Sequence, residues 1–174
     1  MNIDNYLDLL EDRYHHFYDI ERDFEFSNER FPLYARYFER NERYIGTKKM
    51  VVYGMEQNEH VLFQVVDSLN LKDLENFINI LEKATKELVT PTEDHMSSLV
   101  RGVLITKGKP TEEVLRKLKK YKFYKSFLFG FHGWVNVGIN VVDIDHLHEK
   151  SYHNKKGKEG RDHLFVEEQK EGIF

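Results

Sequence analysis

Residues 50–66, MVVYGMEQNEHVLFQVV, form the longest apolar run in the first half of the chain, interrupted by Glu56, Glu59 and His60. Its valines, Tyr53 and Phe63 favour extended backbone. A single strand of seventeen residues would reach about 56 Å, several times the ordinary length. The run therefore predicts a hairpin that breaks at Gln57-Asn58, with arms 49–56 and 59–66, because Asn tolerates the positive φ of a tight turn. In such a hairpin Glu56 and Glu59 face each other across the strands, and the interrupting residues flank a turn.

The flanking segments fit around this hairpin. Ile3, Tyr6, Leu7, Leu10, Tyr14 and Phe17 recur at three-four spacing and predict a first helix. DFEFS (23–27) and RFPLYARYFE (30–39) alternate as strands, and RNERYIGTKK (40–49) reads as a connection around Gly46. Leu71, Leu74, Phe77, Ile78, Leu81, Thr85 and Leu88 predict a second helix, with Asn70 as its N-cap and Pro91 beyond its end. SSLVRGVLIT (97–106) is a strand. Thr111 caps a third helix whose inward residues are Val114, Leu115, Leu118 and Tyr121. His132-Gly133 reads as a two-residue turn, after which Val135, Val137, Ile139 and Val141 share one strand face.

Strands cluster instead of alternating one-for-one with helices. The expected class is α+β, a mixed, mostly antiparallel sheet with three helices in the order α-β-β-β-β-α-β-α-β-β. The 174 residues suit a single domain over 1–145, followed by a polar tail over 146–174 in which Leu164-Phe165-Val166 dock on a neighbour.

Composition excludes some chemistry. The chain has no cysteine, so disulfides, thiol nucleophiles and thiolate metal sites are absent. The acidic first segment, MNIDNYLDLLEDRYHHFYDIERD, predicts no secretory leader, and no apolar run reaches the ~20 residues of a membrane helix. The expectation is a soluble cytoplasmic protein without a membrane partner. No phosphate-binding glycine loop, dinucleotide fingerprint, nucleophile elbow or HExxH motif is present.

The order helix, three strands, helix, strand over residues 3–106 resembles the PD-(D/E)XK nuclease-like fold. That resemblance implies an Asp on the second strand and Glu-x-Lys on the third, holding a divalent metal. Here RFPLYARYFE has no Asp, and neither Glu56 nor Glu59 has Lys two positions on. Glu168-Gln169-Lys170 has the letters but lies in the tail. The segments RNERYIGTKK, EQNEH, HMSSLVRG and YKSFLFGFHGWVNV together resemble an uncharacterised domain family of archaea and anaerobic bacteria, across residues 5–145. This implies a single domain of unassigned function and supplies no catalytic residues.

Charge points to a surface. The net charge is −4, yet residues 107–125 carry eight bases against two acids, and residues 30–49 carry six against two. Arg116, Lys117, Lys119, Lys120, Lys122 and Lys125 are interleaved with Tyr121, Phe123 and Tyr124. Lysines neutralise phosphates and exposed rings stack on bases, so the leading expectation is a nucleic-acid or protein interaction module built on this basic helix. Arg43, Lys48 and Lys49, with Arg36 and Arg40, extend it if the two segments meet. The competing explanation is a solvated helix face over core aromatics.

The alternative expectation is a divergent metal-dependent nuclease-like enzyme. Its candidate catalytic residues are Glu56, Glu59 and His95, with Glu42 and His60 nearby, and a divalent metal would be its cofactor. Otherwise no cofactor and no resident metal are expected. The spacing of His146, His148 and His153 also suits a metal, although surface histidines are common. Trp134, the only tryptophan, is read as core or rim packing, or as part of an aromatic surface buried in a homodimer.

Overall fold

Two periodicities alternate along the chain, one building a sheet and the other the helices that cover it. The computed structural model describes residues 1–44, 51–147 and 151–165. In order they form α1 (Ile3–Tyr14), β1 (Asp19–Phe26), β2 (Glu29–Tyr44), β3 (Val51–Val66), α2 (Leu71–Glu87), β4 (His95–Thr106), α3 (Glu112–Lys120), β5 (Tyr124–Ser126), β6 (Trp134–Asp143) and β7 (Ser151–His153). A fourth, 3-10 helix spans Lys156–Leu164, beyond the three helices expected. The strands form one mixed sheet in the order β1-β2-β3-β4-β6-β5, and β7 also pairs with β6. β3, β4 and β6 run parallel, and the remaining pairings are antiparallel. The α+β class stands as expected.

The hairpin expected at Gln57-Asn58 is not there. β3 is one strand of sixteen residues. Gln57 pairs with Glu39 on one side and Ser97 on the other, and Asn58 with Phe38 and Ser98. A strand with neighbours on both edges satisfies its peptide groups without turning. The length is sustained because β2 is equally long, and the pair forms a ribbon from Leu33↔Phe63 to Tyr44↔Val51. The first half of RNERYIGTKK, residues 40–44, is therefore strand and belongs to β2, while residues 45–49 lie outside the described ones. Glu56 and Glu59 do not face each other: Glu56 pairs with Arg40, and Glu59 with Tyr37. The expected order loses one strand before α2.

A second expectation also fails. His132-Gly133 is not a two-residue turn. Ser126 pairs with Trp134, so the connection spans residues 127–133 and contains a 3-10 turn, Leu128–Gly130.

Helices cover both faces of the sheet. α2 and α3 bury one face, where Leu74, Phe77 and Leu81 meet Leu62, Val100, Leu104, Val137 and Ile139. Asn70 and Asp73 close a capping box at the start of α2, satisfying two otherwise orphaned N–H groups. α2 crosses β4 so closely at Gly102 that a Cβ there would run into Phe77 and Leu81. α1 covers the opposite face, where Tyr6, Leu10 and Tyr14 pack on Leu33, Val61, Phe63 and Val103. Phe17, placed on the α1 stripe by its spacing, is instead exposed beyond the helix end.

Much of the segment read as a tail belongs to the fold. Leu164 is buried against α1, and the Tyr6 hydroxyl donates to its carbonyl at 2.6 Å. β5 and β7 share the outer edge of β6, leaving a gap at residues 137–139. Asn154 fills it. Its Oδ1 accepts from the Ile139 N–H at 2.9 Å and its Nδ2 donates to the Val137 carbonyl at 3.1 Å. One side-chain amide thus stands in for a missing strand peptide. The same Oδ1 accepts from Gly157 N–H at 2.8 Å, which holds the start of the 3-10 helix in place.

Candidate functional site

α1 and the 3-10 helix are shorter than the strands beneath them. Toward the starts of β4 and β6, the same face continues uncovered as Tyr37, Gln57, Glu59, Ser97, Trp134 and Asn136. These residues line a cleft of about 210 Å³, rimmed by Lys156 and Glu159 from the 3-10 helix. A second cleft of about 430 Å³ opens beside it, lined by Tyr121, Lys122, Phe123, Tyr124 and Lys155. Lys156 and Asn136 border both clefts, so the two adjoin.

The floor of the first cleft carries a buried ion pair. Arg101, on β4, is 1 % exposed and pairs with the Glu59 carboxylate. The Tyr18 hydroxyl donates to the other Glu59 oxygen at 2.6 Å. The guanidinium lies 5.8 Å from the Tyr14 ring centroid, within range of a cation–π attraction. Gly160 closes over it so tightly that a Cβ would collide with the guanidinium. Arg101 Nε and Nη1 have no hydrogen-bond partner among the described residues. Burial, followed by the Glu59 charge, pushes the Tyr18 hydroxyl well above its ordinary pKa, so it stays a proton donor to Glu59.

The candidate catalytic residues are dispersed. Glu59 is engaged by Arg101 and Tyr18 on the α1 face. His95 is buried, with Nδ1 2.6 Å from the His132 carbonyl and Nε2 2.8 Å from Ser98 Oγ, and its ring meets Phe127 edge-on. Phe127 packs on the α2 face, so the partners of Glu59 and His95 lie on opposite sides of the sheet. Glu56 pairs with His95 along the backbone ladder, but its side chain, like those of Glu42, Arg40 and Arg43, lies outside the described ones. His60 is buried on the α2 face, 2.7 Å from the Tyr34 hydroxyl, and burial lowers its pKa to about 4. Among the described residues, no three His, Asp or Glu side chains are grouped to hold a metal ion. His146 meets Asp143 at 2.8 Å and His153 meets the Asn154 carbonyl at 2.9 Å, while His148 lies outside the described residues.

The basic residues divide. Lys117 turns back to Glu75 on α2 at 3.2 Å. Arg116, Lys119 and Lys120 are exposed on α3, and Lys125 stands 5.5 Å over the Phe127 ring. Lys122 alone of the candidate set lines the second cleft, where Lys155 and Lys156 join it. Lys48 and Lys49 lie outside the described residues. Lys155 and Lys156 went unnoticed in the sequence because HNKKGK sits in the segment read as a tail, although its run of lysines was a visible signal. Arg101 and Asn154 carried no signal at all, since their roles depend on pairing between distant strands.

These features define a small α+β domain whose sheet is left open at one end, where a polar and aromatic groove forms. The chain belongs to the family described as Domain of unknown function (DUF8052), whose model matches residues 2–165. No curated protein and no solved structure matches it. Among the described residues, no helix is long and apolar enough to cross a membrane.

Proposed function

We propose that this protein binds single-stranded nucleic acid along the groove made by the two adjoining clefts. The observation that carries this reading is that the clefts adjoin at Lys156 and Asn136, with Lys122 and Lys155 lining one and Trp134 and Tyr37 the other. Lysines track phosphates, and rings stack on bases with little regard to sequence. Tyr124 is 63 % exposed, as a stacking platform needs. The Glu59 charge is matched by Arg101 and that of Glu159 by Lys156 at 3.3 Å, so neither opposes a phosphate alone. A cytoplasmic location goes with this reading.

Titration of labelled single- and double-stranded DNA and RNA at increasing salt tests it. Contacts from Lys122 and Lys155 predict a log–log salt slope of about −1.4, at roughly −0.7 per single-strand phosphate. Lys122→Glu with Lys155→Glu weakens binding at least tenfold. Binding that ignores both salt and charge reversal refutes the proposal. The nuclease-like alternative draws support from the pairing of Glu56 beside His95. Arms with Mg²⁺ or Mn²⁺ read it out, since that alternative requires strand shortening that Glu56→Gln abolishes.

A further inference from the structure

The connection between β5 and β6 presents an apolar tip to solvent. Leu128 is 60 % exposed, Phe129 98 % and Phe131 81 %. No other segment among the described residues gathers three such side chains. The tip is held in shape. Leu128 and Phe129 lie at φ 44° and 55°, a region that residues with a side chain rarely adopt, and Gly130 follows at 95°. Gly130 N–H donates to the Phe127 carbonyl at 2.9 Å, Phe131 N–H to Leu128 at 3.0 Å, and Phe127 N–H to Gly133 at 2.9 Å. Gly133, at φ 74°, lies so close to the Met96 carbonyl that a Cβ would not fit, which anchors the loop on the start of β4. A loop that adopts disfavoured backbone angles to hold two phenyl rings in water is organised for contact.

Area, position and charge select the partner. Two phenyl rings and a leucine offer on the order of 400 Å². A stable protein interface takes about 800 Å² from each partner. The tip is too small to hold a second copy by itself. It projects from the hairpin whose arms carry Tyr124 and Trp134, each lining one of the adjoining clefts. Beside it Lys125 stands over the Phe127 ring, a cation that repels another copy of the same surface and attracts a polyanion.

Resting on the proposed single-strand binding, we infer that Phe129 and Phe131 form a wedge that stacks on the last base pair where a duplex opens into the strand held in the groove. The partner is thus a junction between double- and single-stranded nucleic acid. Aromatic side chains stack on exposed base faces with little regard to sequence.

The test compares a labelled single strand, a hairpin duplex bearing that strand as an overhang, and a blunt hairpin. Stacking on the terminal pair predicts that the wild type binds the overhang duplex about tenfold more tightly than the free strand. Phe129→Ala with Phe131→Ala, both on exposed side chains, removes that preference and leaves single-strand affinity unchanged. Phe129→Tyr keeps it. A fluorescent base analogue at the terminal pair changes its emission with the wild type and not with the double alanine variant. If the variant retains the preference, or the wild type binds strand and overhang equally, the wedge is refuted while single-strand binding stands. If the wild type binds none of the three, both readings fall. Tip-dependent binding to phosphatidylserine vesicles, or a tip-dependent rise of mass in light scattering, with no effect on nucleic acid, reassigns the tip and overturns the inference.

Discussion

Acidification should destabilise this protein through one buried imidazole. His60 is 5 % exposed, and Tyr34 lies 2.7 Å from its Nδ1, a geometry in which the phenol donates to a neutral ring. Burial, with the nearby Arg36 charge, lowers its pKa from 6.5 to about 4. Between those two values the unfolded chain carries a proton on His60 and the folded chain does not. The unfolded state binds more protons there, so stability rises with pH across the window. The contribution is complete above pH 6.5, is lost as the pH falls toward 4, and changes no further below that. The gap corresponds to roughly 3 kcal/mol, a large share of the 5–15 kcal/mol that holds a typical domain together.

Other groups also titrate in acid, so the informative quantity is a difference. His60→Gln supplies a carbonyl to accept from Tyr34 and no proton to bind. Urea unfolding of both proteins, from neutral pH down to about 4, gives their stabilities at each point. The wild type should lose roughly 3 kcal/mol more than the variant across the window. Parallel profiles would refute the reasoning, as would a His60 ring that titrates near 6.5 by NMR.

Three further outcomes follow from the buried polar contacts. Asn154→Ala leaves the Ile139 N–H and Val137 carbonyl unpaired on the β6 edge; at about 1–3 kcal/mol for each orphaned group, urea unfolding should show a loss of several kcal/mol. Glu59→Gln strips the buried Arg101 guanidinium of its counter-charge, and should cost about 3 kcal/mol by the same measurement. Gly160→Ala forces the 3-10 helix off the guanidinium; hydrogen exchange should quicken at the amides of 156–164 while those of α2 stay protected.

What was legible in the sequence is what local periodicity encodes. α2 follows its apolar stripe and its Asn70 cap, and β6 turns Val135, Val137, Ile139 and Val141 to one core as the alternation requires. β3 was misread because the argument from length assumed an isolated strand. Gln57 and Asn58 look like turn residues only when their neighbours are unknown, and the parallel pairing with β4 brings in residues forty positions away. The same blindness hid half of the groove. Lys122 was visible in a basic helix, whereas Lys155 and Lys156 reach it only because Asn154 fixes their segment to the β6 edge.

The buried ion pair links the stability of the fold to the chemistry of the groove. A buried Arg–Glu pair is poor value as a stabiliser, since desolvation offsets most of its attraction and an apolar pair of similar volume often does better. Its place in the structure suggests a different role. Glu59 is one of the few carboxylates on the open end of the sheet, and unpaired it would set a negative charge under the strand proposed to bind there. Arg101 cannot reach a ligand itself, being enclosed by Tyr14 and Gly160. It neutralises Glu59 from beneath. Lys156 and Glu159 offset each other at the rim, and Lys122 and Lys155 then set the sign of the groove. A protein of net charge −4 can in this way offer a polyanion one cationic path across its surface.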